Sequence, residues 1–197
     1  MPGNASIRSF VAIELSDDAR QALAALQQEL KNQAPPGAVR WTRPEAIHLT
    51  FQFLGDVAPG QIEVVVGALR GACAGRASFT FELTGVGVFP NPSRPRVVWI
   101  GVVEPSGALV ASQQGVSQAL APLGFRPEER PFSPHLTIGR AARDASPRGL
   151  AELGALIARS DVGSLGQVAV DHIILMKSEL KTDGAVYTPL AVIPLAT

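Results

Sequence analysis

Two of the three histidines in this chain stand in the same tripeptide, His48-Leu49-Thr50 and His135-Leu136-Thr137. Each is followed by an apolar residue, Phe51 and Ile138, and each follows an Arg-Pro pair, Arg43-Pro44 and Arg130-Pro131, at the same distance. An imidazole titrates near neutral pH and can give or take a proton, while a neighbouring hydroxyl donates a hydrogen bond without carrying charge. Duplicated, the pair points to one site built from two equivalent halves. Such a site could move protons on both sides of a small anion while two hydroxyls hold it.

The residues around each motif say what must position it. Ile47, Leu49, Phe51 and Phe53 fall on one parity, and His48, Thr50 and Gln52 on the other. That alternation predicts a strand, with His48 and Thr50 side by side on one face and an apolar row buried on the other. The second copy alternates in the same way, Leu136 and Ile138 against His135 and Thr137. Further strands are predicted at Ser9–Leu15, Phe79–Leu83, Arg96–Val103, Val168–Lys177 and Ala185–Ile193, and Val86–Pro95 reads as a strand running into a proline-held loop. Ser16 caps a helix predicted over Asp17–Gln33, ended by Pro35-Pro36-Gly37. Other helices are expected over Val57–Cys73, about Ser106–Leu123, and Pro147–Arg159. About four helices and seven strands then divide into two halves, each with one His-Leu-Thr strand. The fold expected is α+β, with two similar lobes, each a small sheet with helices on its outer side.

At 197 residues and 20.6 kDa the chain fits one ordinary domain, or two small lobes sharing a core. Hydrophobic residues make up 46% and charged residues 17%, a globular composition. The formal net charge is zero, which leaves no sequence-wide basic field to hold long nucleic acid. Any nucleic-acid partner is expected to be gripped locally, at an end or a single phosphate. Arginine outnumbers lysine fourteen to three, an excess that general compositional bias explains as well as function does. Cys73 is the only cysteine, so there is no internal disulfide, and within its helix a buried, inert thiol is expected. Residues Met1 to Arg8 lack the charged-then-apolar pattern of a secretion signal, and no apolar run approaches membrane-spanning length. A cytoplasmic protein with no membrane partner is the expectation.

The motifs resemble those of the two-histidine (2H) phosphoesterases. Within them, the chain is most similar to the RNA 2′,3′-cyclic phosphodiesterases, also called the 2′-5′ RNA ligase family. The stretch from Trp41 through His48 and Thr50 to Gly55 resembles that family's first signature, and Pro134 through Arg140 its second. Arg8–Ile13, Gly87-Val88-Phe89-Pro90 before the Trp99 strand, and Ser178-Glu179-Leu180 followed by Tyr187 are similarly placed. Gln52 is a mild departure, standing where family members often carry a basic residue. The resemblance implies a bilobal, pseudo-symmetric fold with two mainly antiparallel sheets facing a central cleft. It also implies a single 1–197 unit of two intertwined lobes, with one motif in each (48–50 and 135–137). The implied site is metal-independent and needs no cofactor.

The implied reaction opens a 2′,3′-cyclic phosphate at an RNA end or on a nucleotide, leaving a 2′-phosphate. It needs a base for water and an acid for the departing ribose oxygen. By resemblance His48 is the proton donor and His135 the acceptor, although the residues alone leave either assignment open. Thr50 and Thr137 would donate to the non-bridging oxygens. Arg140 would meet the phosphate, although five residues after His135 it falls on the wrong parity unless the strand bends or ends after Ile138. Arg130 and Phe10 are further candidates, for phosphate and base contact. Run backwards, the chemistry would join RNA ends by a 2′-5′ bond. His172 has no Thr at i+2 and reads as structural. Two rival readings are a His₃ zinc hydrolase, which the His-x-Thr spacing disfavours, and a non-catalytic nucleotide or RNA-end binding module. A monomer is expected.

Overall fold

The computed structural model describes residues 6–127, 130–182 and 184–196. Its elements run in the order β1 (Ile7–Ile13), α1 (Asp17–Gln33), β2 (Val39–Trp41), β3 (Leu49–Val57), α2 (Ile62–Cys73), β4 (Phe79–Phe89) and β5 (Val97–Val103). There follow α3 (Ala108–Leu120), β6 (His135–Ala141), α4 (Pro147–Arg159), β7 (Ser164–Val170), β8 (His172–Lys181) and β9 (Gly184–Pro194). The α+β class is as expected.

Local chemistry sets α1 and α4, which fall where the sequence placed them, from Asp17 to about Gln33 and near Pro147–Arg159. Ser16 accepts from the Ala19 amide at 3.3 Å, Asp17 and Asp18 sit in the first turn of α1, and Lys31 sits in its last. Ser146 caps α4 in the same way, accepting from the Gly149 amide at 3.0 Å, with Pro147 at the first helical position. Leu23, Leu26 and Leu30 bury one face of α1 at helical spacing.

Every strand ladder is antiparallel, in the order β7-β4-β5-β6-β3-β1-β8-β9, with β2 beside β6. The two sheets expected are the two halves of this one sheet. A single register pair joins them, Leu49 of β3 opposite Leu136 of β6. These are the middle residues of the two His-Leu-Thr tripeptides, and both are fully buried. The halves are woven through each other. α1 follows β1 but packs on β7 in the other half, α4 packs on β4, and α2 lies against β9 and α3.

Several elements differ from the sequence reading: β1 runs over Ile7–Ile13 and not Ser9–Leu15, β2 was not expected, and three further differences have a physical cause. β3 continues through Val57, which pairs with Ile7, so α2 starts at Ile62 and not at Val57. Residues 79–89 form one strand where two were expected, because a bulge at Gly85, in the left-handed region at φ 68°, carries the ladder past the break. The single strand expected over 168–177 is two strands, and the chain changes halves between them. β7 pairs with β4, and β8 pairs with β1 and β9.

Candidate active site

The Leu49–Leu136 pair sets the geometry of both motifs. In an antiparallel ladder with that register, His48 lies opposite Thr137 and Thr50 opposite His135. The leucines point into the core, so both histidines and both threonines point the other way, into a cleft of about 1520 Å³ that all four line. The two half-sites read from the sequence thus open into one cleft.

Each histidine is oriented by its own chain. The Nδ1–H of His48 donates to the Ala46 carbonyl at 2.9 Å, and that of His135 to the Ser133 carbonyl at 2.7 Å. A carbonyl only accepts, so Nδ1 carries a proton in both rings and Nε2 is the ring atom left available to give or take one.

The two rings differ in their surroundings. His48 stacks on Phe10 with ring centroids 4.7 Å apart and meets the edge of Tyr187 at 4.9 Å. Burial in this aromatic nest lowers its pKa to about 4, against a smaller upward pull from the Ala46 carbonyl. His135 meets the edge of Phe89 at 5.0 Å, and Phe89 in turn lies 5.2 Å from Trp99. Gly87 makes room for that stack: a Cβ there would lie 2.2 Å from the Trp99 ring. Gly87→Ala is therefore expected to destabilise the fold by about 1–3 kcal/mol through overpacking. Urea unfolding of the variant checks this, and an unchanged midpoint would contradict it.

Arg140 does reach the cleft, and a bulge takes it there. Trp99 pairs with Thr137 and Val98 with Gly139, so Ile138 is an extra residue and parity inverts after it. Its carbonyl accepts from the Thr42 amide at 3.0 Å and from the buried Gln27 side chain of α1 at 2.7 Å. The other half repeats the device. Ala12 pairs with Thr50 and Val11 with Gln52, leaving Phe51 as the extra residue. Its carbonyl accepts from Gln113 of α3 at 3.3 Å.

This second bulge corrects the expected apolar row. Phe53 leaves the core and stands in the cleft, 56% exposed and 5.8 Å from Phe10. Gln52 turns inward instead, donating to the Phe125 and Arg126 carbonyls and accepting from Ser117. Phe53 and Arg140 are thus equivalent positions, each five residues beyond its histidine.

Arg130 lines the cleft. Phe10 does not fit the expected base contact. It is 2% exposed, covered by His48 and packed in a small cluster with Ala12, Ile174, Met176 and Tyr187, so it supports the imidazole from behind. Tyr187 lines the cleft and was not singled out from sequence as a site residue. Burial pushes its phenol up, against the pull of Arg140 and Arg8, so it remains a hydrogen-bond donor at neutral pH. That it is the only tyrosine in the chain gave no signal by itself.

His172 is not among the cleft-lining residues and pairs with Asp171, so the three histidines do not converge as a His₃ set. Among the described residues no cluster of three or more metal-ligating side chains occurs, and no helix is long and apolar enough to cross a membrane.

A family model described as LigT like Phosphoesterase matches the chain twice, over residues 13–99 and 100–187, with one His-x-Thr in each span. The chain belongs to the LigT-like phosphoesterase family. An RNA 2′,3′-cyclic phosphodiesterase of Methanothermobacter thermautotrophicus is 34% identical over 96% of this chain and 99% of its own length. One from Archaeoglobus fulgidus is 34% identical over 94% and 99%. Among solved structures, LigT from E. coli complexed with 3′-AMP superposes with a TM-score of 0.78 at 25% identity, covering 98% of this chain and 99% of that one. TT0787 of Thermus thermophilus gives 0.75 at 27% identity, over 96% and 98%. The double match of the LigT-like model follows the same division as the two half-sites.

Proposed function

We propose that this LigT-like phosphoesterase hydrolyses 2′,3′-cyclic phosphates at RNA ends to 2′-phosphates, without a metal ion, within one 1–197 unit in which both lobes serve one site. The single observation that carries the reading is the pair of half-sites lining one cleft, each with an imidazole held through Nδ1 and a threonine two residues on. The relatives' activity and the 3′-AMP complex of the E. coli structure support it.

A 2′,3′-cyclic phosphate carries one negative charge and two ribose–phosphorus bonds. With the phosphorus between the two histidines, His135 Nε2 takes a proton from water as its oxygen attacks phosphorus. His48 Nε2 gives a proton to the 3′-oxygen as the P–O3′ bond breaks, leaving the phosphate on the 2′-oxygen. Thr50 and Thr137 donate to the non-bridging oxygens, and Arg140 and Arg130 balance the charge that develops there. His48 is neutral in the empty cleft, because burial holds its pKa near 4. An anion arriving beside it favours the imidazolium, so the acid is charged as the substrate binds. In reverse the same groups would join ends by a 2′-5′ bond, although the abundance of water favours hydrolysis.

The test is turnover of a short RNA ending in a 2′,3′-cyclic phosphate, in EDTA, with the product's phosphate located. A 2′-phosphate formed at an undiminished rate in chelator is the expected result. Activity that returns only on adding metal, or a 3′-phosphate product, would overturn the mechanism, and binding without turnover would leave a recognition module.

A further inference from the structure

The cleft is larger than the cyclic phosphate and its base require. Its volume of about 1520 Å³ exceeds the roughly 300–1,000 Å³ of ordinary small-molecule pockets. Among the described residues its lining holds four arginines and no carboxylate. Arg130 and Arg140 are used above, whereas Arg94 and Arg96 are not.

Arg94 and Arg96 flank a buried proline. Pro95 between them has a fixed φ, which limits the freedom of the loop that carries both. Both are exposed and both line the cleft, and neither has a carboxylate partner among the described residues. The loop that carries them is seated firmly. The Arg96 amide donates to the Phe89 carbonyl at 2.7 Å, and the Ala141 amide donates to the Arg96 carbonyl at 3.0 Å. The Arg94 amide donates to the Asn91 side chain at 3.1 Å. On its outer side the loop rests on α4, where the Pro92 carbonyl comes so close to Gly154 that a Cβ there would lie 1.8 Å from it. Two exposed guanidinium groups on one seated loop, both lining the cleft, suit an anion with several acceptor oxygens.

Their place along the cleft fits one particular phosphate. Val97, next to Arg96, pairs with Arg140, and His135 lies at the far end of β6. About 13 Å of strand separates the two ends, allowing for the bulge. Arg96 lies one step beyond Arg140, its carbonyl accepting from the Ala141 amide, so Arg94 and Arg96 stand farther from His135 than the arginine given to the scissile phosphate, on the side where a group across the same ribose would lie.

We propose that Arg94 and Arg96 form a second phosphate subsite, which takes the phosphate on the 5′-oxygen of the terminal nucleoside. This rests on the cyclic-phosphate reading of the histidine site. It makes the preferred substrate a 5′-phosphorylated end, either the last nucleotide of an RNA or a nucleotide with its own 5′-phosphate, rather than a bare cyclic nucleoside phosphate.

The experiment compares adenosine 2′-phosphate with adenosine 2′,5′-bisphosphate by titration calorimetry, on the wild type and on Arg94→Ala/Arg96→Ala. The bisphosphate is expected to bind the wild type about tenfold or more tightly than the monophosphate, and the variant with a ratio near one. Equal affinities in the wild type, or a ratio preserved in the variant, would overturn the proposal. Both side chains are exposed, so the variant is expected to fold, and its unfolding midpoint checks that. Wild-type turnover of adenosine 2′,3′-cyclic phosphate decides the hydrolase reading separately, since that compound lacks a 5′-phosphate.

Discussion

His48→Ala and His135→Ala are each expected to lower turnover of a 2′,3′-cyclic phosphate by roughly 10²–10⁴-fold, the usual contribution of a positioned acid or base. The double variant is expected to be little worse than the poorer single one, because acid and base act in one step and losing either removes most of the advantage. Binding of adenosine 2′-phosphate should weaken far less, since the threonines and Arg140 remain. His172→Ala is the control. That ring lies outside the cleft lining and pairs with Asp171, so its loss should leave turnover unchanged. A single His48 or His135 variant that stays within tenfold of the wild type would remove that histidine from the chemistry.

Acid should loosen the fold through His48. Its folded pKa, about 4, lies below the ordinary value of 6.5, so between these two pH values the unfolded chain binds a proton that the folded chain refuses. Stability therefore falls as pH drops through this window and levels off below it. The full shift corresponds to about 3 kcal/mol. Because the ring is half-buried and not sealed, the observed slope should fall short of that ceiling. Urea unfolding at pH 7 and pH 4.5, for the wild type and for His48→Gln, isolates the effect from the titration of the carboxylates. The wild type should lose more stability than the variant over that interval, and equal losses would contradict the burial of His48.

The sequence carried the parts of this molecule that depend on neighbours in the chain. Ser16 and Ser146 cap helices by accepting from amides three residues away, so both α1 and α4 could be delimited from their own residues. The His-x-Thr faces were legible for the same reason, since alternation is local. The positions beyond them were not. Whether Phe53 and Arg140 face the cleft depends on a bulge at Phe51 and another at Ile138. Each bulge leaves a carbonyl that accepts from a glutamine of a distant helix, Gln113 for one and Gln27 for the other. Nothing in either strand announces that partner. Resemblance had put Arg140 at the phosphate against the parity of its strand, and the bulge removes the conflict. Phe10 was legible as a strand residue but not as the ring beneath His48, because that contact forms between β1 and the approach to β3. The run 168–177 looked like one strand because apolar residues flank Asp171-His172 on both sides, while the chain in fact leaves one half-sheet for the other at Asp171.

Two identical tripeptides related by near-symmetry give a cleft no sense of direction, yet a reaction with an entering water and a departing sugar oxygen requires one. The bulges supply it. At the fifth residue beyond each histidine, one bank presents the bare ring of Phe53 and the other the guanidinium of Arg140. A nucleotide has a flat apolar end and a charged end, so only one of its two orientations matches both banks. In the proposed mechanism the polarity of the substrate, and with it which histidine meets the leaving oxygen, would then be written outside the two His-Leu-Thr motifs.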